Sequence, residues 1–404
     1  MKKFSKILAL VLAFAMVACF AACGGNNEDP TTTNPTSADD TTAAPVETDF
    51  DFTAEGDYTA NNDKFVIGAT GPLTGDASSY GISVQSGAQL AIDEINANGG
   101  LNGIEFAFSM KDDKAAAADA STGFDALYEE GMQASLCSVT SGAAESFATR
   151  CDEYGVFALT PSGSSDAVID ASDYAFRVCF GDPDQGILAA EELTANFEKI
   201  GAIYDNSDPY SSGIYDAFKA KMAELGVEYN EQTFDAENKR DFSTQVEALK
   251  DCDVIFLPIY YTEAGLIAKA CAAKGLTAEI FGCDGLDGVA EQIDETVTAK
   301  IKYITPFDVN AADEKTSAFV TAYTEKYGAA PDQFAADAYD AVYAIFTAME
   351  RLGVNNAKVA PDVLGDALVA EFTSADFSYT GVTGAMTWSA NGACNKTPVI
   401  VELG

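Results

Sequence analysis

The sequence predicts an α/β protein built from two doubly wound parallel-sheet lobes joined by a multi-strand hinge. Three observations point there. Apolar strand-like runs alternate with helical periods from Lys64 onward, and strict alternation of that kind implies parallel sheets covered on both faces. The alternation restarts after Ala175–Cys179, as a second lobe requires. The chain has 404 residues, enough for two domains, and 48% of them are hydrophobic, enough for substantial cores.

In order, Phe65–Ala69 reads as a strand. Tyr80–Asn98 reads as a helix, with Ala88, Ala91, Ile92 and Ile95 on one stripe and Gly99 as its stop. Strand Ile104–Met110, helix Lys114–Glu130, strand Ala134–Ser138, helix Gly142–Tyr154 and strand Val156–Leu159 follow. Pro161 lacks an N–H and ends that last strand, and Ser164 or Ser165 is placed to cap a short helix, Asp166–Ile169. In the second half the reading is helix Asp184–Phe197, strand Ile200–Tyr204, helix Gly213–Leu225, strand Val227–Phe234, helix Phe242–Leu249 and strand Asp253–Pro258. Helix Thr262–Lys274 and strands Glu279–Cys283 and Ile301–Pro306 complete it, followed by helices Asp313–Tyr327 and Phe334–Leu352. The runs Gly381–Ser389 and Pro398–Glu402 look β-like.

Composition narrows the function. The formal charge is −40, which argues against nucleic acid and anionic membrane surfaces as partners. Histidine is absent, which removes Ser-His-Asp and Cys-His catalysis and every His-ligated metal. No G-x-S-x-G, G-x-x-x-x-G-K-[ST] or G-x-G-x-x-G motif occurs. Nine cysteines occur without a C-x-x-C pair, and Cys137, Cys151, Cys179, Cys252, Cys271, Cys283 and Cys394 sit in apolar contexts that suit buried free thiols.

Lys2, Lys3 and Lys6 precede an apolar run, Ile7–Phe20, with the layout of a secretory signal. Phe20-Ala21-Ala22-Cys23 resembles a bacterial lipobox, which makes Cys23 the expected lipidation site. From Gly24 to about Asn62 the chain is polar, lacks Lys and Arg, and reads as a disordered tether.

In open parallel sheets, ligands bind beyond the strand C-termini. Two loops there carry hydroxyls: Val139-Thr140-Ser141-Gly142 and Thr160-Pro161-Ser162-Gly163-Ser164-Ser165. Together they can hold a carboxylate. Asp284, between Cys283 and Gly285, can receive an ammonium, or with Asp287 and Glu291 a calcium ion. Tyr80, Tyr210, Tyr260, Tyr261 and Phe334 lie at loop or helix edges and can wall a small-ligand pocket. Each of these residues also has an ordinary structural reading as a cap or packing side chain.

An ordered set of motifs carries a family resemblance. Gly71-Pro72-Leu73-Thr74-Gly75, Tyr80-Gly81, Gly87-Ala88, Ala91-Ile92, Ile95-Asn96-Ala97-Asn98-Gly99-Gly100 and Asp112-Asp113 resemble the opening of the branched-chain amino-acid-binding proteins, the solute receptors of ABC importers. Thr160-Pro161-Ser162, Phe176-Arg177, Asp241-Phe242-Ser243, Glu263-Ala264-Gly265 and Ala338-Tyr339-Asp340-Ala341 continue it. The resemblance implies a type I periplasmic-binding fold with segments 63–181 and 309–354 in the first lobe and 182–308 and 355–404 in the second. It implies that Ser141 holds a ligand α-carboxylate, that Ser162, Gly163 and Ser164 bind the amino-acid head, that Asp284 holds the ammonium, and that Tyr80, Tyr210, Tyr260 and Phe334 form the wall. Relatives often carry alanines and a threonine where Ser162 and Ser164 stand, so a more polar pocket is expected. The implied protein is a lipid-anchored receptor on the outer face of the cytoplasmic membrane, without cofactor or metal. It passes an aliphatic amino acid to membrane permease subunits and their ATPase partners. The alternative is the same fold taking an amide, a urea-like compound, an aromatic acid or a short peptide.

Overall fold

The structure, a computed structural model, describes residues 50–55 and 63–403. The expected signal segment 1–22, Cys23 and most of the tether lie outside those residues. The first lobe alternates β1 (Phe65–Gly71), α1 (Ser78–Ala97), β2 (Phe106–Asp112), α2 (Ala117–Glu129), β3 (Ala134–Ser135), α3 (Ser141–Tyr154), β4 (Phe157–Thr160), α4 (Asp166–Asp170) and β5 (Ala175–Arg177). The second continues with α5 (Asp182–Asn196), β6 (Ile200–Asp205), α6 (Pro209–Leu225), β7 (Asn230–Phe234), α7 (Ser243–Ala248), β8 (Val254–Leu257), α8 (Tyr261–Ala273), β9 (Glu279–Gly282) and β10 (Ile301–Thr305). Then come α9 (Glu314–Tyr327), α10 (Gln333–Arg351), α11 (Pro361–Phe372), β11 (Tyr379–Gly381), β12 (Gly384–Trp388), β13 (Cys394–Asn395) and β14 (Val399–Glu402).

The two main sheets repeat one topology. The first has the order β2-β1-β3-β4-β5, all parallel. The second runs β10-β9-β8-β6-β7 in parallel, with β14 added antiparallel beside β10. In both, the strand order reverses beside the lobe's first strand, between β1 and β3 and between β6 and β8. Such switch points open a crevice at the strand C-termini. The strands there are apolar and buried because helices cover both faces: Val254–Leu257 is wholly buried, as is Phe157–Thr160.

Three expectations need correction. Segment 355–404 does not belong to the second lobe as a unit. A helix that the sequence reading omitted, α11, lies on the first lobe, where a Cβ on Gly365 would sit 1.9 Å from the Gly155 carbonyl oxygen. Phe372 of α11 packs on Phe157, with centroids 4.8 Å apart, and on Trp388, at 4.6 Å. Only β14 joins the second sheet. Residues 50–55, within the expected tether, pack against the folded part. Phe52 is buried in the core, Asn356 Nδ2 donates to its carbonyl at 3.0 Å, and Glu55 bridges Val359. The Phe52 ring offers apolar area that the surrounding polar residues lack, and its burial favours ordering this stretch. Finally, of the two readings open to Ser141, helix cap or a residue offering its hydroxyl and N–H outward, the first does not hold. Thr140 holds that position, without a side-chain capping bond, and Ser141 is the first helical residue.

The chain crosses between the lobes at 178–181, 306–313 and 396–398. The third crossing is pinned by charge. Lys396 Nζ contacts Asp337 Oδ1 of α10 at 2.5 Å, with side-chain exposures of 0% and 3%. Asp340 stands nearby and accepts N–H bonds from Val382 and Thr383 at 2.9 and 2.8 Å. Breaking one side of a buried pair leaves an uncompensated charge. Lys396→Met is therefore expected to cost about 3–5 kcal/mol in urea unfolding, and adding Asp337→Leu to recover most of it. A single-variant loss below about 1 kcal/mol contradicts this account.

Candidate functional site

The loops after β3 and β4 are tied to each other before they face the cleft. Cys137 takes a positive φ of 55°, turning the chain toward the hydroxyl loop. Thr160 Oγ1 donates to the Ser138 carbonyl at 2.8 Å and accepts the Gly163 N–H at 2.8 Å. Ser162 Oγ donates to the Val139 carbonyl at 2.8 Å. Ser141 Oγ accepts the Ser165 N–H at 3.3 Å, and Ser165 caps α4 through Ala167 N–H at 3.4 Å. Arg177 Nη1 donates to the Ser164 carbonyl at 2.8 Å from behind. These bonds make a rigid double loop. Its serine hydroxyls keep lone pairs, and Ser141 keeps its proton, for use in the cleft.

The second lobe presents Asp284 at the end of β9, opening a short 3₁₀ turn, Asp284–Leu286. Its Oδ1 accepts from Tyr210 Oη at 2.6 Å, and its N–H donates to Gln185 Oε1 at 3.0 Å. Gly285 follows because only glycine fits: a Cβ there would lie 2.7 Å from Tyr210 Oη and 2.8 Å from the Ile259 carbonyl oxygen. Asp284 is 5% exposed, and no lysine or arginine among the described residues lies within ion-pair distance of it. Burial pushes its carboxyl up to about 6, against the hydrogen bond from Tyr210.

Aromatic rings close the space between. Tyr80 of α1 stacks on Phe334 of α10 at 4.2 Å, and Tyr210 stacks on Tyr260 at 5.0 Å. Tyr80 also ties the lobes together: its hydroxyl donates to the Gly285 carbonyl and accepts the Tyr261 N–H at 3.1 Å. Gln333 Nε2 donates to the Asp284 carbonyl at 2.5 Å, Thr262 Oγ1 to the Asp76 carbonyl at 2.8 Å, and Arg240 pairs with Asp76 at 2.5 Å. The space left between them is small, about 10 Å³ or room for about one water, and is lined by Tyr80, Val139, Thr140, Ser141, Ser162, Tyr210, Tyr260, Asp284, Gly285 and Phe334.

Of the residues singled out from sequence, the structure gathers Tyr80, Thr140, Ser141, Ser162, Tyr210, Tyr260, Asp284 and Phe334 around this one space. Gly163 and Ser164 are not among the lining residues. Gly163 is packed tightly, a Cβ there lying 2.9 Å from Ala144 Cβ, and Ser164 is fully buried behind the loop. Val139 and Gly285 line the cavity and were not singled out. Asp287 does not join Asp284 in a cation cluster. Its Oδ2 accepts from Gln333 N–H at 3.1 Å, and no acidic or sulfur cluster suited to a metal occurs among the described residues. The seven described cysteines are free and buried, and burial pushes the Cys137 thiol up to about 12.

The geometry sets a neutral hydroxyl-bearing wall opposite a lone buried carboxylate, with aromatic sides. A carboxyl raised from 3.8 to about 6 carries a folding penalty that is absent below pH 4 and complete above pH 6. Asp284→Asn is therefore expected to stabilise the ligand-free protein at pH 7, by about 3 kcal/mol at most, and to leave it unchanged near pH 4. Denaturant unfolding at the two pH values measures the difference. An Asn variant less stable at pH 7 contradicts it.

Comparison with known proteins gives consistent matches. The sequence profile of the family described as "Periplasmic binding protein" matches residues 64–401. The Leu/Ile/Val-binding protein BraC3 of Rhizobium johnstonii is 31% identical over 224 residues, covering 54% of this chain and 61% of that relative. The Leu/Ile/Val-binding protein homolog 1 of Brucella abortus is 26% identical over 323 residues, covering 78% and 85%. The branched-chain amino acid transporter substrate-binding protein LivJ of Streptococcus pneumoniae, solved with isoleucine, superposes with a TM-score of 0.71 at 28% identity over 84% of this chain and 100% of that one.

Proposed function

This chain belongs to the type I periplasmic binding protein family that includes the Leu/Ile/Val-binding proteins, and on that premise we propose that it is the extracytoplasmic receptor of an ABC importer for a small aliphatic amino acid. The observation that carries the reading is Asp284: a buried carboxylate without a cationic partner among the described residues, facing hydroxyl-bearing loops across a space walled by aromatic rings. A zwitterion satisfies both sides. Its ammonium neutralises Asp284, and its carboxylate accepts from Ser141 and the N–H groups beside it at the start of α3, where the helix dipole favours an anion. Tyr80, Val139, Tyr210, Tyr260 and Phe334 then surround an aliphatic side chain.

In this reading the protein binds without turnover. Cys23 carries a lipid that keeps the receptor at the outer face of the cytoplasmic membrane, and the closed lobes present the ligand to permease subunits. A neutral amide or an aromatic acid in the same cleft leaves Asp284 unpaired. That is costly for a charge this buried, and it ranks those ligands second.

A thermal-shift panel of L-amino acids, amides and aromatic acids on the full chain tests the assignment. Ligand at 100 times its Kd stabilises by about 2.7 kcal/mol, so an aliphatic amino acid is expected to raise Tm by several degrees. Asp284→Ala is expected to weaken that binding about 10–100-fold by calorimetry, the loss of one charge-assisted hydrogen bond. Stabilisation by amides or aromatic acids alone, or unchanged amino-acid affinity in the variant, removes the proposal.

A further inference from the structure

Tyr260 is a wall of two spaces. It lines the small space beside Asp284 and also a separate chamber of about 310 Å³, within the range of small-molecule sites, and it is the one residue the two linings share. Both lobes supply the chamber. Asp76 and Lys114 come from the first, and Asp208 and Glu263 from the second. At its rim the lobes are bonded to each other, where Thr262 Oγ1 donates to the Asp76 carbonyl and Arg240 pairs with Asp76. The loop after β2 reaches it under strain. Lys114 and Ala115 take φ values of 54° and 60°, a left-handed backbone that is costly for a residue with a Cβ. Asp112 and Asp113 hold the loop there by accepting the Lys114 and Ala115 N–H groups at 3.0 and 2.9 Å.

The charges of the chamber do not balance. Lys239 lies between Asp76, at 3.7 Å, and Glu263, at 3.4 Å, while Lys114 reaches Asp119 instead, at 3.0 Å. Asp205 and Asp208 have no lysine or arginine within ion-pair distance among the described residues. Burial pushes the Asp208 carboxyl up to about 6, and the nearby charges of Asp205 and Glu263 push the same way. Two buried polar atoms are left over as well. Glu263 is 5% exposed, yet its Oε1 accepts no hydrogen bond, and the buried Tyr260 hydroxyl has no partner. Phe234 and Ile259 add apolar wall to the same chamber.

These features suit a guest with two positive charges, several N–H donors and a short hydrocarbon between them. We propose that the chamber is a second binding site, for an aliphatic diamine, whose ammonium groups supply the counter-charge that Asp205 and Asp208 lack and donate to Glu263 Oε1 and the Tyr260 hydroxyl. Because the walls come from both lobes, an occupied chamber stabilises the closed cleft and tightens the hold on the inner ligand. That coupling rests on the amino-acid reading of the inner space, whereas the diamine site does not. A bare divalent cation has no hydrocarbon to meet Phe234 and Ile259.

Calorimetry on the full chain tests the proposal with putrescine, set against butylamine, magnesium chloride and sodium chloride at matched ionic strength. Putrescine alone is expected to bind and to raise Tm, and at saturation to tighten L-isoleucine binding about fivefold or more. Asp208→Asn and Glu263→Gln are each expected to weaken putrescine binding about tenfold, the loss of one charge-assisted contact. Both are expected to bind L-isoleucine alone within about twofold of wild type, since neither residue lines the inner space. Asp208 caps α6 by accepting the Ser211 N–H at 3.0 Å, a bond that Asn keeps, and Glu263→Gln decides the matter should the Asn form fail to fold. Putrescine that binds no better than butylamine, an effect that either salt reproduces, or equal putrescine affinity in wild type and both variants overturns the proposal. Putrescine binding without tighter L-isoleucine binding overturns the coupling. Putrescine binding that depends on Asp208 and Glu263, in a chain that takes no amino acid, supports the chamber and overturns the receptor reading instead.

Discussion

A buried carboxylate without a counter-charge is the constraint around which this cleft is arranged. Asp284 is held in place at several points: Tyr210 binds its side chain, Gln185 its N–H, Gln333 its carbonyl, and Gly285 lets Tyr210 and Ile259 approach without a clash. None of these neutralises it. Hydrogen bonds from neutral donors lower the cost of burying a carboxylate but do not remove it, which is why burial still dominates its titration. A site that accepts this cost in its empty form has a strong electrostatic interaction ready for a cation. In a water-poor space that interaction is far stronger than at the surface.

The duplicated sheet topology explains how two distant stretches of chain meet there. Each lobe opens a crevice at its own switch point, and the crevices face each other. The hydroxyl loops after β3 and β4 come from one crevice, and the loops after β6, β8 and β9 from the other. Tyr80 belongs to the first lobe but is bonded to Gly285 and Tyr261 of the second, so its ring forms a wall only when the lobes meet. The same contact that closes the cleft therefore completes the cavity.

Much of this was legible in sequence because local patterns govern it. Strand–helix alternation located the lobes, and strands ending in Pro161 or in glycine-flanked Asp284 located the loops. What was not legible depended on contacts between remote residues. Helix α11 has Pro361 at its start and Leu364, Ala367, Leu368 and Phe372 on one stripe, a readable signal, but its assignment to the first lobe depends on the close approach at Gly155. Phe52 was hidden in a polar stretch whose composition suggested disorder. Ser164 looked like a lining residue from its loop, yet the bond from Ser162 to Val139 and the pull of Arg177 place its hydroxyl behind the surface. Gln185 gave no sequence cue, since what singles it out is its bond to the Asp284 N–H, 99 residues away.

The strengths of the interlobe contacts show where closure energy must come from. At the hinge side, Lys396 and Asp337 form a fully buried pair that tolerates little rearrangement. At the mouth, Arg240 and Asp76 are 62% and 41% exposed, a pair of the kind worth about 0–1 kcal/mol in water. Near the mouth, the bonds from Thr262 and Ser79 are ones that water can replace at small cost, while Tyr80 and Gln333 make buried cross-cleft bonds deeper in. The lobes are thus anchored firmly at one edge and held weakly at the other. The buried Asp284 opposes closure of an empty cleft because closing strips water from an unpaired charge. A bound cation reverses that sign. A cleft built this way would couple closure to occupancy through desolvation of its own acid, without needing a strong latch at the mouth.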